Sequence, residues 1–194
     1  MKEKKYLSRK KRILEAAEQV FGDIGYSDFT IDDIAEKSDF TKPTIYKYFQ
    51  SKEEIIFAVF LQGKTMELEL IKDLERIENN FEKLKFFAKI FFEFHKKHPL
   101  YMELVKYIKS RKTENLKISD AYMQEFHSLF SNMRKNILSI VENGQKDGTI
   151  TKDIDAFTAS ELYISTLQVI QTKSSNDKNF SAQQAVEIFL RAFK

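Results

Sequence analysis

A short polar segment near the N-terminus carries residue types suited to contact with nucleic acid. The spacing predicts a helix over residues 41–48 in which Ile45 points inward together with Phe49, four residues later. The opposite face offers hydroxyl, phenol and ammonium groups and no carboxylate. Its members are Thr41, Lys42, Pro43, Thr44, Tyr46 and Lys47. Such a face is suited to hydrogen-bonding base edges and pairing with phosphates in a major groove.

Cations near this segment lie where an anion would be favourable. Lys42 and Lys52 each fall in the first turn of a predicted helix, where the backbone dipole opposes positive charge by ~0.3–1 kcal/mol. A phosphate bound there would remove that penalty. Residues 1–12 contain seven basic residues and one acidic residue, a local charge of +6. We expect this basic arm to lie along a nucleic-acid backbone or in a minor groove. A solvated tail is the alternative for the arm taken alone.

Capping signals define the elements that must position this segment. Thr30-Ile31-Asp32-Asp33 is a capping box, Thr41 is placed to cap the next helix, and Ser51-Lys52-Glu53-Glu54 is a further box that opens a long helix. Only residues 37–40 separate the first two helices, which is the turn length of a helix-turn-helix. Asp39 can supply the left-handed residue of that turn. Because helices of about two turns are unstable alone, such capping indicates that their mutual angle is specified.

The composition bounds the class of protein. The 194 residues are 42% hydrophobic and 31% charged, which is a globular balance rather than a disordered one. The net charge of +3 does not by itself indicate a nucleic-acid partner. The absence of cysteine excludes disulfides, thiolate zinc sites and cysteine nucleophiles. No apolar run approaches the ~20 residues of a membrane span, and the N-terminus lacks a signal-peptide pattern. We therefore expect no membrane partner and a cytoplasmic protein.

Helical periodicity extends along the whole chain. Five glycines and two prolines are too few for many short strands, and apolar residues recur at helical spacing. We predict an all-α protein of about nine helices. A helix-turn-helix domain is predicted over residues 1–50, and a larger helical domain over residues 51–194. Helix ends are predicted at Gly22 and Gly25, at His98-Pro99, and at Gly144 and Gly148.

No catalytic or cofactor motif accompanies this pattern. His95 and His98 are three residues apart and could face one metal together with Glu93. Pro99 ends the helix there, however, and a histidine near a helix C-terminus is favourable by itself. Neither an H-E-x-x-H motif nor a glycine-rich phosphate loop is present. We predict no enzyme activity, no metal and no cofactor; a catalytic or metal-carrying C-terminal domain is the alternative.

Three stretches carry a family resemblance: Arg12-Ile13-Leu14-x-Ala16-Ala17-x-x-x-Phe21-x-x-x-Gly25-Tyr26, Thr30-Ile31-x-x-Ile34-Ala35, and Thr41-x-Pro43-Thr44-Ile45-Tyr46-x-Tyr48-Phe49-x-Ser51-Lys52-Glu53. They resemble the N-terminal DNA-binding domain of tetracycline-repressor (TetR) family regulators. The resemblance implies base or phosphate contacts from Thr41, Lys42, Thr44, Tyr46 and Lys47. It also implies backbone clamps at Tyr48, at Lys52 and at the helix start at Thr30. Pro43 replaces a common glycine and has no N–H for a main-chain contact.

The C-terminal part combines many aromatic residues with a strongly apolar helix. Tyrosines among apolar residues suit a ligand pocket between bundle helices, with plain core packing as the alternative. The candidate ligand residues are Phe87, Phe91, Tyr101, Tyr107, Tyr122, Phe126, Phe130 and Tyr163. The predicted helix over residues 153–172 is apolar on more than one face, which indicates that it is buried or paired. The family resemblance implies that this helix and residues 181–193 form a homodimer.

The resemblance and the residues together predict a homodimeric regulator of transcription. We expect it to bind palindromic double-stranded DNA as a repressor, with one recognition helix in each major groove. A small apolar or aromatic effector would release it by changing the separation of the two recognition helices. A DNA-binding protein controlled by a protein partner, rather than by a small molecule, is the alternative.

Overall fold

The computed structural model describes residues 2–110 and 117–194, which form helices and no strand. The helices are α1 (Lys2–Ile24), α2 (Ile31–Ser38), α3 (Lys42–Ile45), α4 (Lys52–Leu70), α5 (Asn80–Lys97), α6 (Pro99–Ser110), α7 (Asp120–Asp147), α8 (Ala156–Asn176) and α9 (Ala182–Leu190). Short 3₁₀ turns follow α4 and α9. The all-α prediction is confirmed. None of the helices in the described ranges is both long enough and apolar enough to cross a membrane.

Two of the predicted helix-ending glycines have the expected backbone. Gly25 and Gly148 follow α1 and α7 with φ of +87° and +80°, in the left-handed region that favours glycine. Gly22 and Gly144 instead lie inside those helices, so their predicted role as ends is wrong. Gly144 is buried, and a Cβ there would lie 2.5 Å from the Ile150 side chain. Glycine at this position lets the chain after α7 fold back against the helix.

Packing divides the chain into two compact units. The first comprises Met1–Thr65 and His98–His127, and the second comprises Met66–Lys97 and Ser128–Lys194. This division does not follow the predicted boundary at residue 50, because α4 and α7 each contribute residues to both units. The division of function at residue 50 stays a prediction.

The core of the first unit fixes the N-terminal helices. Ile13 of α1, Ile34 of α2 and Ile45 of α3 are fully buried, and the helices pack through these side chains. A second contact in this unit requires a glycine, because a Cβ on Gly63 would lie 2.3 Å from the ring of Tyr101. Close approach of the α6 aromatic to α4 therefore depends on the absence of a side chain at Gly63.

The core of the second unit centres on Tyr163 of α8. This side chain is fully buried, and its hydroxyl donates a hydrogen bond to the Leu84 carbonyl at 2.6 Å. Three aromatic rings surround it, those of Phe87, Phe189 and Phe193, with centroids 6.0, 6.2 and 5.9 Å away. Burial raises the pKa of Tyr163 well above its usual value. The tyrosine is therefore a neutral donor that is satisfied inside a packed core.

Candidate nucleic-acid interface

The start of α2 is closed by the predicted capping box. The Thr30 hydroxyl accepts a hydrogen bond from the Asp33 N–H at 3.2 Å, and the Asp33 carboxylate accepts one from the Thr30 N–H at 2.6 Å. These bonds lower the pKa of Asp33. At the other end of α2, Asp39 has a φ of 56° and supplies the left-handed residue, as predicted. The capping box therefore fixes the start of α2, and the left-handed backbone at Asp39 sets the direction in which the chain leaves it.

The recognition segment, residues 41–48, contains a shorter α-helix than the sequence predicts. Helical bonding covers only Lys42–Ile45. Bonds of the i to i+3 type continue the turn, including one from the Tyr48 N–H to the Ile45 carbonyl at 2.9 Å. The buried residues are Ile45 and Phe49, as predicted. The Phe49 N–H also donates to the Ile45 carbonyl at 3.1 Å, so backbone bonds connect the two anchors directly.

Thr41 is the N-cap residue of α3, as predicted, but its side chain does not cap the helix. Its backbone has the extended N-cap conformation, but its hydroxyl makes no bond to a backbone N–H. The hydroxyl lies 2.9 Å from that of Thr44 instead. Pro43 occupies the first helical turn, where its missing N–H leaves no intrahelical bond unmade.

The predicted contact residues lie on the surface of the recognition segment. Thr41, Lys42 and Lys47 are exposed, and the Tyr46 side chain is 49% exposed. Thr44 and Tyr48 are half-buried. Hydroxyl, phenol and ammonium groups therefore face outward from a segment whose apolar side chains hold it to the core.

The two first-turn lysines have protein partners. The Lys42 ammonium lies 2.8 Å from the Asp32 carboxylate, which raises the pKa of Lys42. The Lys52 ammonium donates to the carbonyls of Ser27 at 3.1 Å and Phe29 at 2.5 Å, and lies 4.2 Å from the centroid of the Phe29 ring. Neither lysine requires a bound anion, so the helix dipole does not by itself indicate one, and an anion at either position stays a prediction. The predicted DNA contacts of both residues stay predictions. Their contacts within the protein connect α3 to α2 and connect the start of α4 to the chain just before α2.

A buried carboxyl group joins α4 to the start of α7. Glu54 is 1% exposed and accepts hydrogen bonds from the N–H groups of Gln50 at 2.5 Å and Ser119 at 2.9 Å. The Ser51 hydroxyl accepts from the Glu54 N–H at 2.9 Å, as the capping box predicts, and donates to the Lys117 carbonyl at 2.7 Å. No local pattern predicts the bonds to residues 117 and 119, since the partners are far apart in the sequence.

The basic N-terminal segment is helical from Lys2 onward. A helix ~10–12 Å across is wider than a minor groove of about 6 Å, which favours the DNA backbone over the groove as the contact of this segment. The ring of Tyr6 stacks on that of Tyr48 with centroids 4.7 Å apart. This end of α1 therefore lies beside the recognition segment.

The sequence of this region matches a known family. Residues 13–59 match the family model described as bacterial regulatory proteins, tetR family. Over 169 residues the chain is 31% identical to YhgD of Bacillus subtilis (strain 168), an uncharacterised HTH-type transcriptional regulator, and the match covers 81% of this chain and 82% of YhgD. The chain belongs to the TetR family of transcriptional regulators. Its helix-turn-helix is accordingly a DNA-binding element.

Solved structures share the fold of this TetR-family member. FadR from Bacillus subtilis, in complex with stearoyl-CoA, superposes with a TM-score of 0.71 at 20% identity, over 94% of this chain and 98% of that chain. AibR, in complex with isovaleryl coenzyme A and operator DNA, gives a TM-score of 0.69 at 16% identity, over 94% and 96% of the two chains. At these identities the likeness establishes the fold alone.

The eight aromatic residues predicted to bind a ligand are divided between the two units. The first unit holds Tyr101, Tyr107, Tyr122 and Phe126, and the second holds Phe87, Phe91, Phe130 and Tyr163. Several have ordinary packing partners. The Tyr101 hydroxyl donates to Glu18 at 3.0 Å, and the ring of Tyr122 stacks with that of Phe49 at 6.4 Å. A ligand role for these residues stays a prediction.

Two open cavities in the second unit have the volume of small-molecule sites. The larger, about 770 Å³, lies between α5 and α9, with Ala88, Phe92 and Leu190 on its apolar floor. The smaller, about 450 Å³, lies between α7 and the 3₁₀ turn that follows α4, and Ile71 and Met133 are among its lining residues. Within the described part of the chain, neither cavity is lined by any of the eight predicted ligand residues.

The last two helices expose large apolar side chains. Leu162 and Val169 of α8 are 49% and 68% exposed, and Ile188 of α9 is 65% exposed. Leu162 and Val169 are seven residues apart and so share one face of α8. The other face of α8, with Tyr163 and Leu167, is buried in the core. Both faces of this helix are therefore apolar, as predicted, and only one of them is covered by its own chain.

His95 has a structural environment. It is buried at the end of α5, its Nδ1 lies 2.7 Å from the Phe91 carbonyl, and its ring packs edge-on against the Phe91 ring at 4.4 Å. His98 belongs to the other unit and lies 5.9 Å from the Tyr101 ring, between centroids. Across residues 2–110 and 117–194, no group of three or more side chains could hold a metal ion.

Proposed function

We propose that this protein is a homodimeric repressor that binds palindromic operators and releases them on binding an effector with an apolar acyl chain. The proposal of a DNA-binding surface rests on the arrangement of the recognition segment. Its hydrogen-bonding and basic groups face outward, while Ile45 and Phe49 anchor it in the core. In the proposed complex Thr44, Tyr46 and Lys47 contact base edges in the major groove.

In the same complex, backbone phosphates are held by groups at the ends of the recognition segment and at the starts of α2 and α4. Thr30 lies at the exposed start of α2, and Tyr48 closes the segment. Lys42 can exchange its exposed partner Asp32 for a phosphate, because water and salt screen an ion pair on the surface so that it contributes little. Lys52 acts chiefly by fixing the approach to α2, since its ammonium is already bound to two carbonyls.

A homodimer is supported by the exposed apolar face of α8 and α9. Leu162, Val169 and Ile188 would be covered by the same residues of a second copy in a two-fold interface. A palindromic site has two equivalent half-sites, spaced by one helical turn of about 34–36 Å or a multiple of it. A dimer would present one recognition segment to each half-site.

An acyl effector is supported by the phenylalanine-rich second unit and its cavities. A cavity of about 770 Å³ with an apolar floor suits a hydrocarbon chain. The structural neighbours FadR and AibR bind stearoyl-CoA and isovaleryl coenzyme A, respectively. We extend that chemical class to this protein. Thermal unfolding with acyl-CoA esters of increasing chain length, and with free coenzyme A as the control, tests the class. If none raised the midpoint or released DNA, control by a protein partner would become the better proposal.

Selection of genomic fragments tests the DNA-binding part of the proposal. Purified protein is mixed with sheared source DNA at moderate salt, and the retained fragments are sequenced. We expect an enriched inverted repeat. Retention without sequence preference would contradict the operator claim, and no retention at low salt would contradict DNA binding by this surface.

Thr44→Ala and Lys47→Ala should separate sequence recognition from electrostatic attraction. We expect Thr44→Ala to change which bases are preferred at one position, with a loss of about 1–3 kcal/mol for the original base. Lys47→Ala removes a charge, so it should also make the slope of log K against log salt less negative by about one unit per subunit. Fluorescence anisotropy with the enriched repeat and with single-base variants measures both effects. Identical base preferences in Thr44→Ala and the wild type would exclude a base contact from Thr44.

A further inference from the structure

We infer that the first three turns of α1 form a second phosphate-binding element, in which Lys5 and Arg9 contact the DNA backbone beside the recognition segment. The inference rests on the proposed DNA-binding surface. It does not depend on the dimer or on the effector.

The basic residues of α1 form a row along one side of the helix. Lys5, Arg9 and Arg12 are spaced at i, i+4 and i+7, which places them on one helical face. Lys4 and Lys11 are seven residues apart and form a different row. Lys5 and Arg9 are separated by about 6 Å along the helix axis. Two nucleotides of one DNA strand advance about 6.8 Å along the duplex axis, so the row can follow a backbone.

The inner end of this row is fixed to the chain just before the recognition segment. The Arg12 guanidinium donates to the Ser38 carbonyl at 3.0 Å and lies 3.5 Å from the Asp39 carboxylate. It also lies 4.9 Å from the centroid of the Phe40 ring, and the Arg9 guanidinium lies 5.9 Å from the same centroid. Since Phe40 directly precedes the recognition segment, the row borders its beginning.

A second contact fixes α1 to the other end of the recognition segment. The ring of Tyr6 stacks on that of Tyr48 with an interplanar angle of 29°. Tyr6 is nevertheless 44% exposed. The helix is therefore held at both ends of the segment, which gives the basic row a defined position relative to the proposed major-groove contacts.

The outer members of the row have no acidic partner. Lys5 and Arg9 are exposed and make no ion pair with any residue in the described ranges, whereas Lys11 of the other row lies 3.5 Å from the Glu15 carboxylate. Glu3 is the one acidic residue among the first twelve. Uncompensated cations on a helix that borders a DNA-binding surface are complementary to the phosphate backbone.

Salt-dependent DNA binding of two charge-matched double variants tests the inference. Binding to a labelled 30-base-pair duplex of random sequence, and to the enriched inverted repeat, is measured by fluorescence anisotropy across a potassium chloride series. In Lys5→Ala/Arg9→Ala the slope of log K against log salt should become less negative by about 1.8 per subunit, and affinity for both duplexes should fall by a similar factor. Lys4→Ala/Lys11→Ala removes the same charge from the other row and should leave the slope unchanged. Equal changes in both variants would indicate a general charge effect and overturn the inference.

Tyr6→Ala and Tyr6→Phe test the positioning of the row. Tyr6→Ala should lose part of the same slope without any change in charge, whereas Tyr6→Phe should keep it because the ring still stacks. Circular dichroism establishes that each variant is folded. An unchanged slope in folded Tyr6→Ala would exclude positioning by Tyr6.

The controls separate this inference from the proposed function. Wild-type protein that bound neither duplex would contradict the proposed function itself. Wild-type protein that bound the repeat, with an unchanged slope in Lys5→Ala/Arg9→Ala, would overturn the inference alone.

Discussion

Val169→Glu should convert the protein to a monomer and weaken binding to an inverted repeat by roughly 100-fold or more. Val169 is 68% exposed on the uncovered face of α8, in line with Leu162. In a two-fold interface the substitution places a carboxylate in the apolar contact twice, because each copy contributes the same patch. The substituted side chain remains in water in the monomer, so the fold of the second unit should be unaffected.

The weaker DNA binding would follow from the loss of linked half-sites. Two recognition segments held in one dimer raise the effective concentration of the second contact, which gives a gain of about 10²–10⁴. Sedimentation equilibrium measures the association state, and anisotropy with the repeat measures the affinity. Ser131→Glu adds the same charge at an exposed position of α7 and should leave both unchanged. A dimeric Val169→Glu protein with wild-type affinity would place the interface elsewhere.

Glu54→Ala should lower the free energy of unfolding by about 3 kcal/mol, since a buried acceptor that serves two backbone donors is removed. Its carboxyl group accepts from the N–H groups of Gln50 and Ser119, and it is 1% exposed. Without it, both donors lose their acceptor inside the first unit. The chain between the recognition segment and α4 would lose its link to the start of α7.

Thermal unfolding followed by circular dichroism measures this loss. For a chain of this size the midpoint should fall by about 6–12 °C. Glu53→Ala is the matched control, because Glu53 lies in the same helical turn but is only half-buried. Equal midpoints for the two variants would show that the Glu54 hydrogen bonds contribute little.

Local patterns identified the elements of the DNA-binding surface. Thr30 and Ser51 were predictable as caps because each binds an amide three residues away, a distance that the sequence itself defines. Ile45 and Phe49 were predictable as anchors because helical spacing fixes which side chains share a face. The spacing did not reveal that the α-helix of the recognition segment ends at Ile45.

The same patterns could not group the aromatic residues of the C-terminal part. Tyr122 and Tyr163 both occur among apolar residues on predicted helices, yet they belong to different units. Periodicity tells which face of a helix is apolar but not which helix covers it. The exposure of Val169 and the burial of Tyr163, on one and the same helix, required the packed structure.

The sequence by itself determined the all-helical fold, the helix-turn-helix and its capped ends, because these depend on bonds and faces within a few residues of one another. The tertiary structure alone decided the partners of those charged groups that pair with residues distant in the sequence. Lys42 pairs with Asp32, Glu54 binds the N–H of Ser119, and Arg12 reaches the Ser38 carbonyl. The physical reason is that a charged side chain is stabilised by whatever group the packing brings within about 3 Å, and packing joins residues that the sequence keeps far apart.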